Sequence, residues 1–373
     1  MKHPPIGLYI HVPFCWKLCP YCHFYKQRWS QDGEAQFIHA ILKEMDLYAD
    51  HPPEIGSIFF GGGTPSTLSP ASFSRLLEGV YRCFRLTPPK EITVEVNPEH
   101  ISPALIKVFT SFGVNRISLG TQSFIDEELA ALGRLHRTSS AKKTIASLKD
   151  AGLVNINFDL IFGLPKSTPE MLLQSLETAI SLEPTHLSAY ALTIEKGTPF
   201  AKRDLILPSD EDSLKQYKLL RTQLEGVGYK QYEVSVFAKP GFQCWHNLNY
   251  WQFGSYIGLG PSAHSFWQNR RFANPRNLNL YAQAPTLVAK KALQKLALPH
   301  ESLIKDFIIF GLRLRSGISL LTFQRLFNQS FTTLFSEQIS KLITLKLAKL
   351  TPTRFYPTVK GLYVLDSLIL EFI

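Results

Sequence analysis

Between residue 6 and about residue 235, short apolar runs alternate with longer stretches of helical period. The strand-like runs fall at Gly7–Val12, Ser57–Phe60, Ile92–Val96, Arg116–Leu119, Asn155–Ile161 and His186–Leu192. Helical periods are clearest near residues 34–48, 71–84, 138–151 and 169–182. Repeated strand–helix units predict a parallel sheet with right-handed crossovers. Six units predict an α/β fold built on an open, partial (β/α)6 barrel, since a full eight-unit barrel takes roughly 250 residues. Within one strand, Ile92, Val94 and Val96 alternate with Thr93, Glu95 and Asn97. The apolar face should pack on the helices, and the polar face should line a lumen that holds something polar. Asp159 is a second carboxylate in an apolar strand, and its burial requires a partner or a ligand.

The pattern changes after this point. Residues 210–227 read as a helix and Tyr229–Phe237 as extended chain, whereas 238–285, rich in Gly, Asn, Trp and Tyr, read as loops around a site. Ser302–Leu314 and Leu320–Phe327 are helical, and Phe355–Val359 with Gly361–Val364 resemble a terminal hairpin. This predicts a core barrel over 1–235, a loop-rich extension over 236–290 and a small helical, winged-helix-like domain over 291–373.

Composition narrows the class. The 373 residues are 45% hydrophobic, as expected for a globular chain with ample core. No apolar run is long enough to span a bilayer, and the first residues lack the features of a secretory signal, which points to the cytoplasm. The net charge of +10 is dispersed, with only pairs such as Lys142-Lys143 and Arg270-Arg271, so no nucleic-acid partner is expected. Three of the five cysteines crowd into Cys15-x-x-x-Cys19-x-x-Cys22, a metal pattern rather than a disulfide framework. Three thiolates on one loop would hold three irons of a [4Fe–4S] cubane and leave the fourth open to chelate an amino and a carboxylate group. The methionine end of S-adenosylmethionine (SAM) offers both. Other readings of the loop are buried thiols, a Cys3His zinc site with His23, and a C-x-x-C-H haem attachment. Adjacent Cys22 and His23 suit one tetrahedral zinc poorly, and haem attachment leaves Cys15 unexplained.

With Tyr21 before the third cysteine, this loop resembles the defining loop of the radical SAM superfamily. The resemblance implies a [4Fe–4S] cluster on Cys15, Cys19 and Cys22, adenine contact at Tyr21, and a SAM contact at Tyr9. It also implies that Gly62, Gly63 and Thr64, in Gly61-Gly62-Gly63-Thr64-Pro65, bind the SAM amino group. Glu95, Gln122, Arg134 and Asp159 match further SAM-site positions in the family's order. The stretches Asn155–Pro165 and His186–Tyr190 resemble the oxygen-independent coproporphyrinogen III oxidases and their relatives, the HemW-type haem chaperones.

Three features favour the chaperones. Phe24 stands where the oxidases carry a further cysteine, although His23 replaces the aspartate usual in chaperone loops. The chain starts only a few residues before Tyr9. His246-Asn247-Leu248-Asn249-Tyr250-Trp251 matches the H-N-x-x-Y-W segment associated with haem. The resemblance therefore implies haem at His246, Tyr250 and Trp251, haem-accepting partner proteins including membrane-associated ones, an electron donor for the cluster, and no coproporphyrinogen oxidase activity. An imidazole is a standard axial ligand to haem iron, but a histidine in a packed loop can equally bond a carbonyl. Cys244 is an alternative ligand, and His264 and Tyr256 could line the same cavity.

Overall fold

The computed structural model describes residues 5–99, 101–283 and 297–373. The expected boundary between residues 290 and 291 lies outside the described residues. Six parallel strands form the centre of one sheet. They are β1 (Ile6–Val12), β4 (Glu54–Gly62), β5 (Arg85–Val96), β6 (Arg116–Gln122), β7 (Ile156–Phe162) and β8 (His186–Ala191), adjacent in that order. Between β1 and β4 lies a small parallel ribbon, β2 (Phe14–Cys15) with β3 (Gln27–Arg28), which carries the cysteine loop. The crossover helices include Gln31–Asp46, Pro70–Cys83, Thr138–Asp150 and Pro169–Ser181. Ser30, Ser69 and Thr168 cap three of these by accepting a backbone N–H from the first turn.

Strand alternation sorts the two faces as expected. Leu8, Ile10, Ile58, Phe60, Ile92, Val94, Ile117, Leu119, Phe158 and Leu160 join one core with Phe37, Ile41, Phe73, Leu76 and Leu77 of the helices. The intervening Glu95, Ser118, Asn157, Asp159 and Ser188 line cavities on the inner face.

The stretch expected to be loops after residue 238 is largely ordered structure. After the hairpin of β9 (Lys230–Glu233) and β10 (Val236–Ala238) come a helix at Trp245–Trp251 and strands β11 (Tyr256–Leu259), β12 (His264–Trp267) and β13 (Arg270–Ala273). β11 runs parallel to β1, so chain from beyond residue 250 extends the sheet past its first strand. The expected terminal hairpin is also corrected. Arg354–Pro357 pairs with Ala348–Leu350 and with Ile318–Ser319, not with the residues that follow it. Thr358 accepts the Gly361 N–H and caps a short helix at Val359–Leu362. The last helices and these three strands pack around a second apolar core containing Phe307, Phe323, Phe331 and Phe355. No helix of the described residues is long and apolar enough to cross a membrane.

Candidate functional site

A cavity of about 420 Å³ opens at the C-terminal ends of the parallel strands, where parallel α/β folds place ligands. Its walls bring together Cys15, Cys19, Cys22, Tyr21, Gly62, Gly63, Thr64, Glu95, Gln122, Arg134 and Asp159. These positions span almost 150 residues of chain, and the strand ends assemble them.

The cysteine loop is pinned on both sides. Thr64 N–H donates to Phe14 O (2.7 Å), and Cys15 Sγ lies 3.5 Å from Thr64 Oγ1. Arg134 donates to Asn97 Oδ1 (2.7 Å) and Gly120 O (2.9 Å), and its Nη1 reaches Cys19 Sγ at 3.6 Å. Burial pushes the Cys15 thiol up to about 11, so it holds its proton until a metal replaces it. No three His, Cys, Asp or Glu side chains among the described residues converge on one metal ion. A cubane needs no such convergence, because each thiolate takes a different iron.

The glycine turn has a packing reason as well as a ligand reason. Gly62 has φ 111°, and a Cβ on Gly63 would lie 2.6 Å from Phe14 O. The N–H groups of Gly62, Gly63 and Thr64 are spent on Glu95, Val12 and Phe14. The turn's backbone therefore has only carbonyl acceptors left to offer, which suits an ammonium group. Below it lie two half-buried carboxyl groups. Burial, with Asp159 beside it, pushes Glu95 to about 8. Burial also raises Asp159, against hydrogen bonds from Asn157 and Ser118 and the pull of Arg116. A cationic ligand with an ammonium and a sulfonium would relieve both, and on this ground the residues fit SAM. Gln122 has φ 63°, an uncommon conformation for a non-glycine residue and one that clusters at functional sites.

Tyr9 is not on this cavity. Its hydroxyl lies 3.1 Å from His11 Nδ1, and it faces two further cavities. One, about 230 Å³, is polar and is lined by Arg116, Asn157, Asp159, His246 and Tyr250 among others. The other, about 560 Å³, is aromatic and is lined by Tyr25, Tyr250, Trp251, Phe253, Tyr256, Phe266 and Phe310, with His11, His23, His264 and Arg276.

His246 belongs to the polar cavity and is fully buried. Its Nδ1 lies 3.0 Å from Ser57 Oγ, its Nε2 lies 2.7 Å from Tyr250 OH, and its ring stacks on Phe59. Burial, reinforced by Arg116, lowers it to about 3, so it is neutral with both nitrogens engaged. It is a core histidine here, while its segment companions Tyr250 and Trp251 do face the aromatic cavity. Cys244 is equally committed, donating to Glu91 Oε1 at 3.1 Å. Glu91 also accepts the Trp245 and His246 N–H groups, which fastens the start of the Trp245–Trp251 helix to β5. The lumen-facing reading of β5 included Asn97, but sequence reasoning did not find Arg116 or Tyr190. Each sits at a lumen-facing strand position or strand end, and alternation was the signal available.

Residues 9–179 match the radical SAM superfamily and residues 298–364 match the HemN C-terminal domain. The heme chaperone HemW of Lactococcus lactis subsp. lactis is 34% identical over 378 aligned residues, covering 100% of this chain and 98% of its own. The chain belongs to the HemW family of radical SAM proteins. HemW of Haemophilus influenzae is 39% identical over 320 residues, 82% of this chain and 83% of its own. HemW of Escherichia coli K12 is 43% identical over 270 residues, 71% of each chain. In three dimensions, the E. coli coproporphyrinogen III oxidase HemN, a radical SAM enzyme, superposes with a TM-score of 0.85 at 24% identity, covering 100% of this chain and 91% of its own. That likeness establishes the fold. Membership of the superfamily brings SAM and a [4Fe–4S] cluster as cofactors.

Proposed function

We propose that this chain is a haem chaperone. It holds a [4Fe–4S] cluster on Cys15, Cys19 and Cys22, binds SAM in the cysteine cavity, and carries haem in the aromatic cavity for transfer to acceptor proteins. When bound, the cluster and SAM together supply reductive cleavage to a carbon radical. An electron donor for the cluster and haem-accepting proteins, including membrane-associated ones, are the partners this reading requires.

The observation that carries the haem reading is the aromatic cavity itself. Its volume of about 560 Å³ lies in the range of roughly 300–1,000 Å³ usual for small-molecule sites. Tyr250, Trp251, Phe253 and Phe310 suit a porphyrin face, Arg276 suits a propionate, and exposed His264 and His23 offer imidazoles. His264, on β12, takes the axial role that the sequence motif suggested for His246. Haem titration of the purified chain should give a saturable Soret shift at about one haem per chain with a histidine-type spectrum. The reading excludes coproporphyrinogen decarboxylation. Multiple-turnover formation of protoporphyrinogen under anaerobic reducing conditions would overturn it.

A further inference from the structure

Phe24 is the one described residue that lines both the cysteine cavity and the aromatic cavity, and it also faces the polar cavity between them. The backbone around it is fixed. Lys26 Nζ donates to Cys22 O (2.6 Å) and Phe24 O (3.4 Å), Arg276 Nη2 donates to His23 O (3.3 Å), and His11 Nε2 donates to Tyr25 O (2.9 Å). Four consecutive carbonyls are thus held, two of them by side chains far away in sequence or on another strand. The ring is not held in this way: Phe24 is 72% exposed, the most exposed aromatic among the large hydrophobic residues of the described chain. A ring free to change rotamer on a fixed backbone is a local two-position element, whereas the loop that carries it cannot swing without losing these bonds.

We propose that Phe24 is a positioning residue that couples the two cavities. SAM in the cysteine cavity turns the ring towards the aromatic cavity and weakens haem, and haem turns it back and weakens SAM. The sign follows from shared volume, since the ring lines both cavities and whichever one it turns into loses room for its ligand. The size follows from linkage: each ligand changes the other's affinity by the same factor, and such couplings are typically about 5–150-fold. This inference rests on the haem reading above and adds the means by which SAM would discharge the cargo.

The test measures haem affinity of the anaerobically reconstituted chain with and without saturating SAM, and SAM affinity with and without haem. Wild type should show at least about a fivefold loss in each direction, equal within error. Phe24→Ala should bind each ligand alone and bring both ratios to about one. In Phe24→Trp, SAM alone should shift the emission of the added indole, a readout that needs no haem. Haem binding that is independent of SAM in wild type, an unchanged ratio in Phe24→Ala, or an indole blind to SAM would each overturn the coupling and leave the chaperone reading intact. Absence of any haem binding by wild type would overturn both.

Discussion

The cysteine cavity and the aromatic cavity lie side by side, yet they are made in different ways. The first is built from strand ends between Cys15 and Thr193, and ionisable groups dominate it: the carboxyls of Glu95 and Asp159 with the guanidinium of Arg134. The second is built where distant chain segments meet, and rings dominate it, with Tyr25 from the cysteine loop facing Trp251, Phe253 and Phe310. Charge placed on rigid strands selects a small polar ligand by a few strong bonds. A ring-lined space between segments selects by area and shape and can re-form when its contents leave. A carrier needs the second kind of site and a radical cofactor needs the first.

Removing the metal ligands should separate the two most sharply. The Cys15, Cys19 and Cys22 triple alanine variant should bind essentially no iron after reconstitution, against about four per wild-type chain, while haem binding persists. Full iron in that variant, measured by a colorimetric assay, would dissolve the distinction between the sites.

His264 on the wall of the second site and His246 in the neighbouring polar cavity should behave oppositely. His264→Ala should weaken haem by about tenfold or more and change its Soret spectrum, as loss of an axial ligand does. His246→Ala should leave the spectrum alone and cost stability, about 1–3 kcal/mol for stranded buried partners at Ser57 and Tyr250. A denaturant melt and a haem titration on each variant decide the matter, and a spectral change in the His246 variant alone would return the ligand role to it.

Within the first site, Glu95→Gln should weaken SAM by about 1–3 kcal/mol without lowering thermal stability. Glu95 faces Asp159, Arg116 and Tyr9. Its pKa in the unliganded site is raised to about 8, so the protonated form is the one the fold favours, and that contribution is lost as pH rises through about 8. A bound cation favours the ionised form. SAM binding should therefore release a proton and tighten as pH rises towards about 8, and calorimetry in two buffers of different ionisation heat would show it. A pH-independent affinity would remove Glu95 from the cation's surroundings. The smallest effect belongs to the Arg271–Asp306 pair at 2.6 Å, which ties β13 to the helix His300–Gly311. Asp306→Asn should cost about 0–1 kcal/mol and less in high salt, since the pair is partly exposed.

The same contrast governs what could be read from sequence. β5 announced itself because Ile92, Val94 and Val96 pack outward while Glu95 faces the cavity, and Asp159 stood out as a carboxylate in an apolar strand. Such signals are local. β11 is only four residues long, carries Gly258 and is followed by Gly260, and owes its existence to pairing with β1 some 250 residues earlier. The Trp245–Trp251 helix likewise depends on Glu91 of β5, which no window around residue 245 contains. The H-N-x-x-Y-W segment brings Tyr250 and Trp251 to the aromatic cavity, whereas His246 packs against Ser57 and Phe59, partners that no window around residue 246 contains. The C-terminal strand pairing failed for a similar reason, because the Thr358 cap turns the chain into a helix just where a second hairpin strand was expected.

The attachment of the cysteine loop to residues 276 and 278 also bears on the order of events during synthesis. Arg276 holds the His23 carbonyl, and the Leu278 N–H donates to the Tyr25 hydroxyl. A nascent chain acquires these anchors only after residues 276 and 278, each 253 positions beyond the loop residue it holds, have been translated, and contacts of such long sequence separation form late. Until then the thiol-bearing loop is untethered on that side and the outer edge of β1 is unpaired. The interval between emergence of the loop and arrival of its anchors is thus the period in which an unshielded strand edge most needs protection from other chains.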